Sequence, residues 1–431
     1  MKKEYDIIIA GTGIGGATVA REMTRKGKSV LMLERGGRFN RMGHTVTMAM
    51  ILQNFGLIRS REKHTVTFAS NYGGLSVISA GCAVPPPKSI FSPFGIDLGS
   101  EAEEAGRDMK VQIMPDKLIG KANIRLMEAA NAAGYNWRRM ENFIDPSKCI
   151  EDCADCMLGC PQGAKFTARD YGDEAVQNGA GLELHSRVTD VILENGGAVG
   201  VETSKRGRKE RHFGKAVVLS AGVSNVHILR RLGVEEAGKG FACDWLQFVG
   251  GIVPGINTVK ANPMTVGTLE HYESDGIAIL PVFPNWSQFL VMLYFLGATS
   301  LPKFTGFRQY SGIMVKIRDT ICGEIFDGTS FSKPITETDQ KKLNKGVGII
   351  KEVLKKAGAK DDSIIALPPS GAHPSASCRI GEVVDANLET RFPNLYCCDA
   401  SVLPAAMGLP VVWTLAALGK RLANHLNERI G

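Results

Sequence analysis

The sequence predicts an α/β fold with a doubly wound sheet, and two observations support this class. The stretch "YDIIIAGTGIGGATVAREMTRKGKSVLMLE" places a β-branched run, three spaced glycines, an Ala-rich amphipathic segment and a second apolar strand in succession. That order is typical of parallel strands joined by a crossover helix. The chain also has 431 residues, 44% of them hydrophobic, which is enough to build two domains with full cores.

The glycine-rich turn in this stretch predicts dinucleotide binding. Gly11, Gly13 and Gly16 follow the spacing G-x-G-x-x-G; the first makes the tight turn, the second lets the backbone approach a pyrophosphate, and the third lets the helix pack on the strand. Glu34 and Arg35 end the second strand, about twenty residues further on, where a carboxylate can accept hydrogen bonds from an adenosine ribose. These residues leave FAD and NAD both open.

Four of the ten cysteines are gathered in one short segment. Cys149, Cys153, Cys156 and Cys160 are separated by three, two and three residues, and Pro161 follows. The second half of this spacing matches the C-x2-C-x3-C-P ending of ferredoxin-like loops, although the first gap is one residue longer. The pattern favours an iron–sulfur cluster over tetrahedral zinc, over disulfides and over free thiols.

Charge and hydropathy exclude several other classes. The net charge is +7, and the densest basic run, 204–212, has no interleaved aromatic residues, so we expect a solvated hairpin turn and no nucleic-acid binding. No export signal precedes the first strand, which predicts a cytoplasmic location. The longest apolar run, 289–298, is about half of a bilayer crossing. We expect it to form buried core or the wall of a substrate channel, with interfacial membrane contact as the alternative.

Four separated blocks resemble one family of flavoenzymes. They are "NYGGLSVISAGCAVPPP" (71–87), "KAVVLSAGVSNVHILRRLGV" (215–234), "SGAHPSASCRI" (370–380) and "NLYCCDAS" (394–401), the last followed by a helix at the end of the chain. In this order they resemble the glucose–methanol–choline (GMC) oxidoreductases. The resemblance covers about half of the chain and is loose over 250–365.

The resemblance implies FAD as the cofactor and His373 as the catalytic histidine. An imidazole suits this role because its pKa near neutrality lets it take the hydroxyl proton of an alcohol while the hydride goes to flavin. The helix beginning near Val411 could stabilise negative charge on reduced flavin through its positive end. Beyond the glycine turn, Glu34 and Arg35, the cofactor-binding residues implied are Gly73, Gly74, Ser76, Val188, Ala221, Gly222, Asp399, Ala400 and Val411.

The chain departs from the family pattern at the substrate side of the flavin. Pro410 stands where the family usually has a second polar group, with Leu409 before it, and Ser79 replaces an Asn of the flavin loop. Neither Pro410 nor Leu409 has a side-chain hydrogen-bond donor. We therefore expect another polar residue, from the unmatched segment, to complete the site.

Some GMC proteins, bacterial FAD-linked glucose dehydrogenases among them, have a similar Cys-rich loop followed by a segment like "GCPQGAK". This resemblance implies an iron–sulfur relay beside the flavin. Four thiolates suit [4Fe–4S], and three suit [3Fe–4S] if Cys149 is displaced. A cluster takes electrons singly, so the prediction is a dehydrogenase with a protein or quinone acceptor.

The same resemblance gives the domain organisation. A discontinuous Rossmann-like FAD-binding domain is expected at 1–95, 165–255 and 368–431, and the cluster loop at 146–164. An antiparallel-sheet substrate domain of the GMC type is expected at 256–367, and 96–145 is a connecting helical segment.

The predicted function is oxidation of a CH–OH group by FAD, with electrons leaving through the cluster to an external acceptor. The substrate is a small hydroxy compound such as a sugar or sterol-like alcohol, and the apolar run at 289–298 favours a hydrophobic one. The alternatives are a reductase working in reverse, a noncatalytic electron-transfer subunit, and a redox-sensing or structural flavoprotein.

Overall fold

The computed structural model describes residues 4–56, 58–285, 289, 306–327 and 330–430. Within these ranges the strands form two main sheets and three small ones. The α-helices span Ile14–Arg25, Thr45–Ile51, Lys88–Phe91, Gly99–Asp108, Asp116–Ile119, Lys121–Ala132, Ala168–Gln177, Ser224–Arg231, Tyr272–Asp275, Glu337–Lys356 and Val412–Ile430.

The first sheet contains the glycine turn and is called here the nucleotide sheet. Its strands are Glu4–Ala10, Val30–Glu34, Gly181–Leu184, Arg187–Glu194, Gly197–Lys205, Arg208–Leu219 and Leu395–Cys397. Five of them pair in parallel, and Arg208–Leu219 also joins the other two in an antiparallel meander. The β-branched run of the first strand, Ile7 to Ile9, is fully buried, as expected for a parallel strand covered on both faces.

Two helices pack together against one face of the nucleotide sheet. The first helix, Ile14–Arg25, follows the glycine turn, and the final helix, Val412–Ile430, lies against it. A Cβ added to Gly15 would stand 2.0 Å from the carbonyl oxygen of Cys398, so only glycine allows this approach. The final helix begins within one residue of the predicted start.

The second main sheet is antiparallel and is called here the substrate sheet. It consists of Trp245–Ile252, Ile277–Pro281, Tyr310–Ile317, Ile365–Ala366 and Ser370–Gly371. The helix Glu337–Lys356 covers it, starting from a capping box formed by Thr336 and Asp339 and burying Leu343, Ile350 and Leu354. A mixed α/β architecture with an antiparallel second domain is therefore confirmed.

Three small sheets lie outside the two main ones among the described residues. They are formed by Lys239–Phe241 with Cys322–Asp327 and Ser330–Ser332, by Arg138–Arg139 with Val266–Gly267, and by Gln112–Ile113 with Glu141–Asn142.

One predicted domain boundary is wrong. The strand Trp245–Ile252 was expected in the nucleotide domain, within 165–255, but it pairs with Tyr310–Ile317 at the centre of the substrate sheet. Ser370–Gly371, expected in the last nucleotide segment, also pairs with it. An apolar stretch such as "WLQFVGGI" indicates a strand, but it does not indicate which sheet the strand joins.

Two other expectations concern surface and membrane. The basic run 204–212 forms the hairpin between Gly197–Lys205 and Arg208–Leu219, with its turn at Arg206 and Gly207, which confirms the predicted hairpin turn. Of the apolar run 289–298 only Phe289 belongs to the described residues, so the prediction for that run lies outside them. Within the described part of the chain, none of the helices combines the length and hydropathy of a membrane span.

Candidate active site

A cavity of about 640 Å³ lies between the two main sheets. Its wall contains most of the residues predicted to bind the cofactor, together with His373. The predicted cofactor residues in the wall are Gly11, Gly13, Glu34, Arg35, Gly74, Ser76, Val188, Ala221, Gly222, Asp399, Ala400 and Val411.

The two remaining predicted glycines, Gly16 and Gly73, support the wall from behind. A Cβ on Gly16 would lie 2.4 Å from the Gly11 oxygen, which is the helix-on-strand contact expected from the motif. Gly73 has a φ of +97°, and its N–H donates to Thr12 Oγ1 at 3.2 Å. It thereby joins the flavin loop to the glycine turn.

Glu34 holds the glycine turn as well as facing the cavity. Its carboxylate accepts hydrogen bonds from the Thr12 N–H at 3.1 Å, from Thr12 Oγ1 at 2.7 Å and from the Gly36 N–H at 2.7 Å. Arg35 beside it donates to Ser224 Oγ at 3.1 Å. Both side chains are therefore fixed before any ligand binds.

Several features of the cavity fit FAD. A Cβ on Gly13 would meet no atom within 4 Å and would project into the open space, so the glycine leaves room for a pyrophosphate. Ser79 Oγ lines the same cavity and is buried without a hydrogen-bond partner among the described residues. Such an orphaned polar atom is costly unless a ligand satisfies it.

Asp399 connects distant parts of the chain at this wall. Its carboxylate accepts from the Gly222 N–H at 2.7 Å, from Asn225 Nδ2 at 2.9 Å and from the Ser401 N–H at 2.8 Å. Burial raises the pKa of Asp399, while these hydrogen bonds act in the opposite direction. The first turn of the final helix lines the cavity nearby, at Val412 and Leu415, so its positive end faces the space.

His373 belongs to a three-residue cluster with Asp244 and Lys316. His373 Nδ1 lies 3.0 Å from Asp244 Oδ2 and 2.7 Å from Lys316 Nζ. Lys316 Nζ is also 3.1 Å from Asp244 Oδ2 and donates to the Leu409 oxygen at 2.7 Å. The side chains of Asp244 and Lys316 are 0% and 3% exposed, whereas His373 is 28% exposed, toward the cavity.

The electrostatics of this cluster keep His373 neutral. Burial lowers the pKa of His373, and the charge of Lys316 lowers it further, against the opposing effect of Asp244. Burial also lowers the pKa of Lys316. Burial alone would raise the pKa of Asp244, but Lys316 and His373 bring it below its ordinary value. A neutral imidazole is the form that can accept a proton.

The backbone around Asp244 is strained and well supported. Asp244 has a φ of +49°, its Oδ1 accepts from the Gly408 N–H at 2.9 Å, and its own N–H donates to Asp319 Oδ1 at 2.9 Å. Asp319 in turn forms a fully buried ion pair with Lys333 at 2.8 Å. Strained residues held in this way are frequent at functional sites.

Asp244 and Lys316 are site residues that the sequence did not identify individually. The departure at Pro410 predicts a polar group from the unmatched segment, and Lys316 lies in that segment and lines the cavity together with Pro410. The available signal was a single charged residue in the strand "YSGIMVKI", all eight positions of which are buried. A buried lysine needs a partner.

The four clustered cysteines lie close together in one loop beside the cavity. Cys156 is buried, and Cys149, Cys153 and Cys160 are partly exposed. Burial raises the pKa of the Cys156 thiol to about 12, and the three neighbouring thiols add to this rise. Burial raises the pKa of Cys149 and Cys153 as well, with Cys160 contributing to both.

The geometry of this loop differs from that of zinc and disulfide sites. All ten cysteines are free. Among the described residues, no three of the four loop sulfurs lie within 4.8 Å of one another, whereas a tetrahedral site with Zn–S bonds of about 2.3 Å requires sulfurs about 3.8 Å apart. Four neighbouring cysteines are the donor set that an iron–sulfur cluster requires.

Lys165 joins the cysteine loop to the flavin loop. Its ammonium is buried and donates to the Val77 oxygen at 2.9 Å, the Ser79 oxygen at 2.5 Å and the Cys156 oxygen at 2.7 Å. Burial lowers the pKa of Lys165 to about 8. Met157, next to Cys156, lines the cavity, so the loop reaches the space where the flavin is expected.

Asn262 is a second buried residue that contacts the cysteine loop. Its side-chain amide is buried and donates to the Leu118 oxygen at 2.7 Å and to Cys149 Sγ at 3.7 Å, and its Oδ1 lies 3.9 Å from Cys156 Sγ. If these cysteines hold a metal cluster, contacts of this kind would orient and tune its thiolate ligands.

The nucleotide sheet carries a dinucleotide cradle, and the antiparallel substrate sheet closes the cavity and brings a neutral histidine to it. This arrangement is that of a flavin-dependent oxidoreductase. Family models agree with this class: those for the N- and C-terminal parts of the GMC oxidoreductases match residues 5–251 and 328–419. The chain belongs to the GMC oxidoreductase family, whose members are flavin-dependent oxidoreductases acting on CH–OH type substrates. FAD as cofactor is thereby supported.

Curated relatives include both unassigned and named proteins. The chain is 26% identical over 430 residues to an uncharacterised protein of Methanocaldococcus jannaschii, covering 98% of this chain and 100% of the relative. It is 20% identical to a long-chain-alcohol oxidase of Arabidopsis thaliana, covering 98% and 68%. It is 27% identical to a cholesterol oxidase of Acinetobacter baumannii, covering 46% and 43%. It spans less than half of two GMC-type oxidoreductases of Mycobacterium tuberculosis.

Solved structures show the same fold. Formate oxidase of Aspergillus oryzae aligns with a TM-score of 0.77 at 14% identity, and pyridoxine 4-oxidase from Mesorbium loti with 0.72 at 15%. Both alignments cover 99% of each chain. At 14–15% identity this similarity supports a shared fold and nothing further.

Proposed function

We propose that the protein is a dehydrogenase that oxidises a CH–OH group with FAD and passes electrons singly to an external acceptor through an iron–sulfur cluster. The observation that carries this proposal is the position of the cysteine loop, tied by Lys165 to the flavin loop and reaching the cavity at Met157. A cluster held beside the flavin would accept the electrons of reduced flavin one at a time, which favours a dehydrogenase over an oxidase.

In this proposal the protein residues have distinct roles. FAD supplies the acceptor for the hydride from the alcohol carbon, and His373 accepts the hydroxyl proton. Gly11, Gly13 and the first helix hold the pyrophosphate, and Asp399 fixes the neighbouring wall. Cys149, Cys153, Cys156 and Cys160 would hold the cluster, which supplies one-electron transfer.

The substrate class follows from the wall opposite the nucleotide turn. Apart from Lys316 and His373, the substrate sheet lines the cavity mainly with apolar side chains, among them Phe248, Leu280 and Met314. Apolar surface favours an alcohol with a hydrocarbon body. Two relatives are named for long-chain alcohols and for cholesterol, in agreement with this choice. We therefore propose a hydrophobic alcohol as substrate and a protein or quinone as electron acceptor.

The proposal is tested by anaerobic purification followed by visible spectroscopy and by iron, sulfide and zinc analysis. A panel of long-chain, sterol and sugar alcohols is then screened for flavin bleaching. We expect iron and acid-labile sulfide beside FAD, and bleaching by apolar alcohols. Zinc without iron would refute the cluster, and bleaching by sugars alone would refute the substrate class.

Serine variants separate the cluster from the flavin. Cys156→Ser should lose iron yet still bleach with alcohol, because hydride transfer precedes electron exit; its slow step should become reoxidation by a one-electron acceptor. Cys322→Ser, a partly exposed cysteine outside the loop, is the matched control and should retain iron. If no alcohol bleaches the flavin but a reduced partner protein does, the chain is an electron-transfer subunit, and bleaching reversed by a ketone or aldehyde indicates a reductase.

A further inference from the structure

Lys316 Nζ stands at the centre of three acceptors, each on a different part of the fold. They are His373 Nδ1 at 2.7 Å, the Leu409 oxygen at 2.7 Å and Asp244 Oδ2 at 3.1 Å. An ammonium group has three N–H donors, so each hydrogen has one acceptor. Nδ1 of the histidine also lies 3.0 Å from Asp244 Oδ2. When an ammonium hydrogen of Lys316 points at Nδ1, that atom accepts, and the single proton of the neutral imidazole then lies on Nε2.

This proton arrangement has a consequence for catalysis. An imidazole that already has its proton on Nε2 cannot accept the hydroxyl proton of an alcohol at that atom. The basic form needs a proton on Nδ1 and a bare Nε2. We expect Lys316 to be neutral in that form, because an ammonium hydrogen directed at Nδ1 and the hydrogen on Nδ1 would meet in a gap of 2.7 Å.

We propose that Lys316 is the second proton acceptor of a relay that begins at His373. Nε2 accepts the hydroxyl proton of the alcohol, Nδ1 passes its own proton to Lys316 Nζ, and Asp244 stabilises the ammonium that forms. The O–H and C–H bonds break, the C=O bond forms, and both electrons leave with the hydride to the flavin. The inference rests on the proposed function, and Lys316 is a positioning residue because it acts through His373.

The relay has a defined dependence on pH. The titratable and charged groups near Lys316 are Asp244, His373, Cys82 and Asp319, the last paired with Lys333. Lys316 must lose a proton before each oxidation, so alcohol oxidation rises with pH through the titration of the coupled Lys316–His373 pair. Reduction of a carbonyl compound falls over the same range.

The proton position is measured without any substrate by ¹⁵N NMR of histidine-labelled holoenzyme, with the His373 signals assigned from the spectrum of His373→Gln. In wild type we expect the proton on Nε2 at neutral pH and a switch to Nδ1 as the pH rises. Lys316→Arg keeps the charge and cannot deprotonate, so its imidazole should stay protonated on Nε2 throughout. A wild-type proton on Nδ1 at neutral pH would overturn the relay, whatever the variants do.

Two further variants complete the test. Lys316→Met leaves Asp244 as the acceptor for Nδ1, so its imidazole should be protonated on Nδ1 even at neutral pH. Lys420→Met removes another buried lysine, one paired with Glu22 outside the cavity, and should leave the wild-type pattern. An unchanged proton position in Lys316→Met contradicts the proposal.

Kinetics then test the relay itself. With an alcohol identified by the bleaching screen, Lys316→Arg should reduce its flavin about 10²-fold more slowly than wild type, at equal FAD content. The pH midpoint of Lys316→Met should lie below that of wild type. Equal rates in Lys316→Arg and wild type overturn the relay. If the NMR pattern is found but no alcohol bleaches the flavin, the proposed function fails while the Lys316–His373 contact stands.

Discussion

Replacement of Asp244 by Asn should destabilise the protein in a way that depends on pH. The side chain of Asp244 is fully buried, and Lys316 is 3% exposed, so the change leaves an ammonium without its carboxylate. Asn tolerates the left-handed backbone at this position and can still accept the Gly408 N–H. The loss is therefore mainly electrostatic.

Two estimates bound the loss in the free energy of unfolding of Asp244→Asn. Breaking a buried ion pair by removing one partner costs about 3–5 kcal/mol. Lys316 can avoid being an unpaired buried charge by releasing its proton. Holding a lysine neutral at pH 7 costs about 4.6 kcal/mol, because its ordinary pKa is about 10.4 and each pH unit is worth about 1.36 kcal/mol. We expect a loss of about 3–5 kcal/mol in the free energy of unfolding at pH 7.

The sign of the pH dependence follows from proton counting. If Lys316 is neutral in the folded variant, the unfolded chain binds one more proton, so stability rises with pH. Between pH 7 and 9 the deficit against wild type should shrink by about 1.4 kcal/mol per pH unit. In wild type the Asp244 carboxylate favours the charged form of Lys316, so we expect a smaller slope over this range.

The assay is urea unfolding of the holoenzyme at fixed FAD concentration, because bound cofactor shifts the midpoint. Asp116→Asn breaks an exposed pair with Arg139 and should change stability by less than about 1 kcal/mol. The double variant Asp244→Asn with Lys316→Met should recover most of the loss. A deficit that is flat from pH 7 to 9, or smaller than about 1 kcal/mol, would refute this reasoning.

Three other changes have defined outcomes. His373→Ala should slow flavin reduction by alcohol about 10²- to 10⁴-fold while FAD content stays at the wild-type level; His271→Gln, outside the cavity, should match wild type in a stopped-flow assay. Gly13→Ala should fold normally but retain less FAD, because the added Cβ projects into open space at the glycine turn. Gly27→Ala is the control: Gly27 has a φ of +76°, and a Cβ added there would meet no atom within 4 Å. This variant should lose some stability but keep its FAD. Lys165→Met removes the ammonium that the Val77, Ser79 and Cys156 oxygens share and should lower FAD and iron content together. Loss of one without the other contradicts the link between the loops.

The sequence predicts the nucleotide cradle well because its information is local. Gly11, Gly13 and Glu34 lie within a single strand–turn–helix–strand unit, and the φ of +101° at Gly11 is what a tight turn requires of glycine. His373 and Asp399 are identifiable because short motifs surround them. The function of these residues stays a prediction, and their place in the cavity wall agrees with it.

The Asp244–Lys316–His373 cluster is not predictable in the same way. Its members are 57 and 129 residues from His373 along the chain, and antiparallel pairing brings them together. Leu246 lies opposite Lys316 in that ladder, which places Asp244 at the strand end beside the lysine. Nothing local fixes such a register, since it depends on which strands meet and at which residue.

The order of synthesis has a consequence for cofactor loading. The strand Leu395–Cys397 completes the nucleotide sheet, and Asp399 then receives the N–H of Gly222, made 177 residues earlier. A nascent chain that has exposed only the glycine turn cannot yet form this wall. We therefore expect a ribosome-bound chain that ends before residue 399 to retain less FAD than the full-length protein.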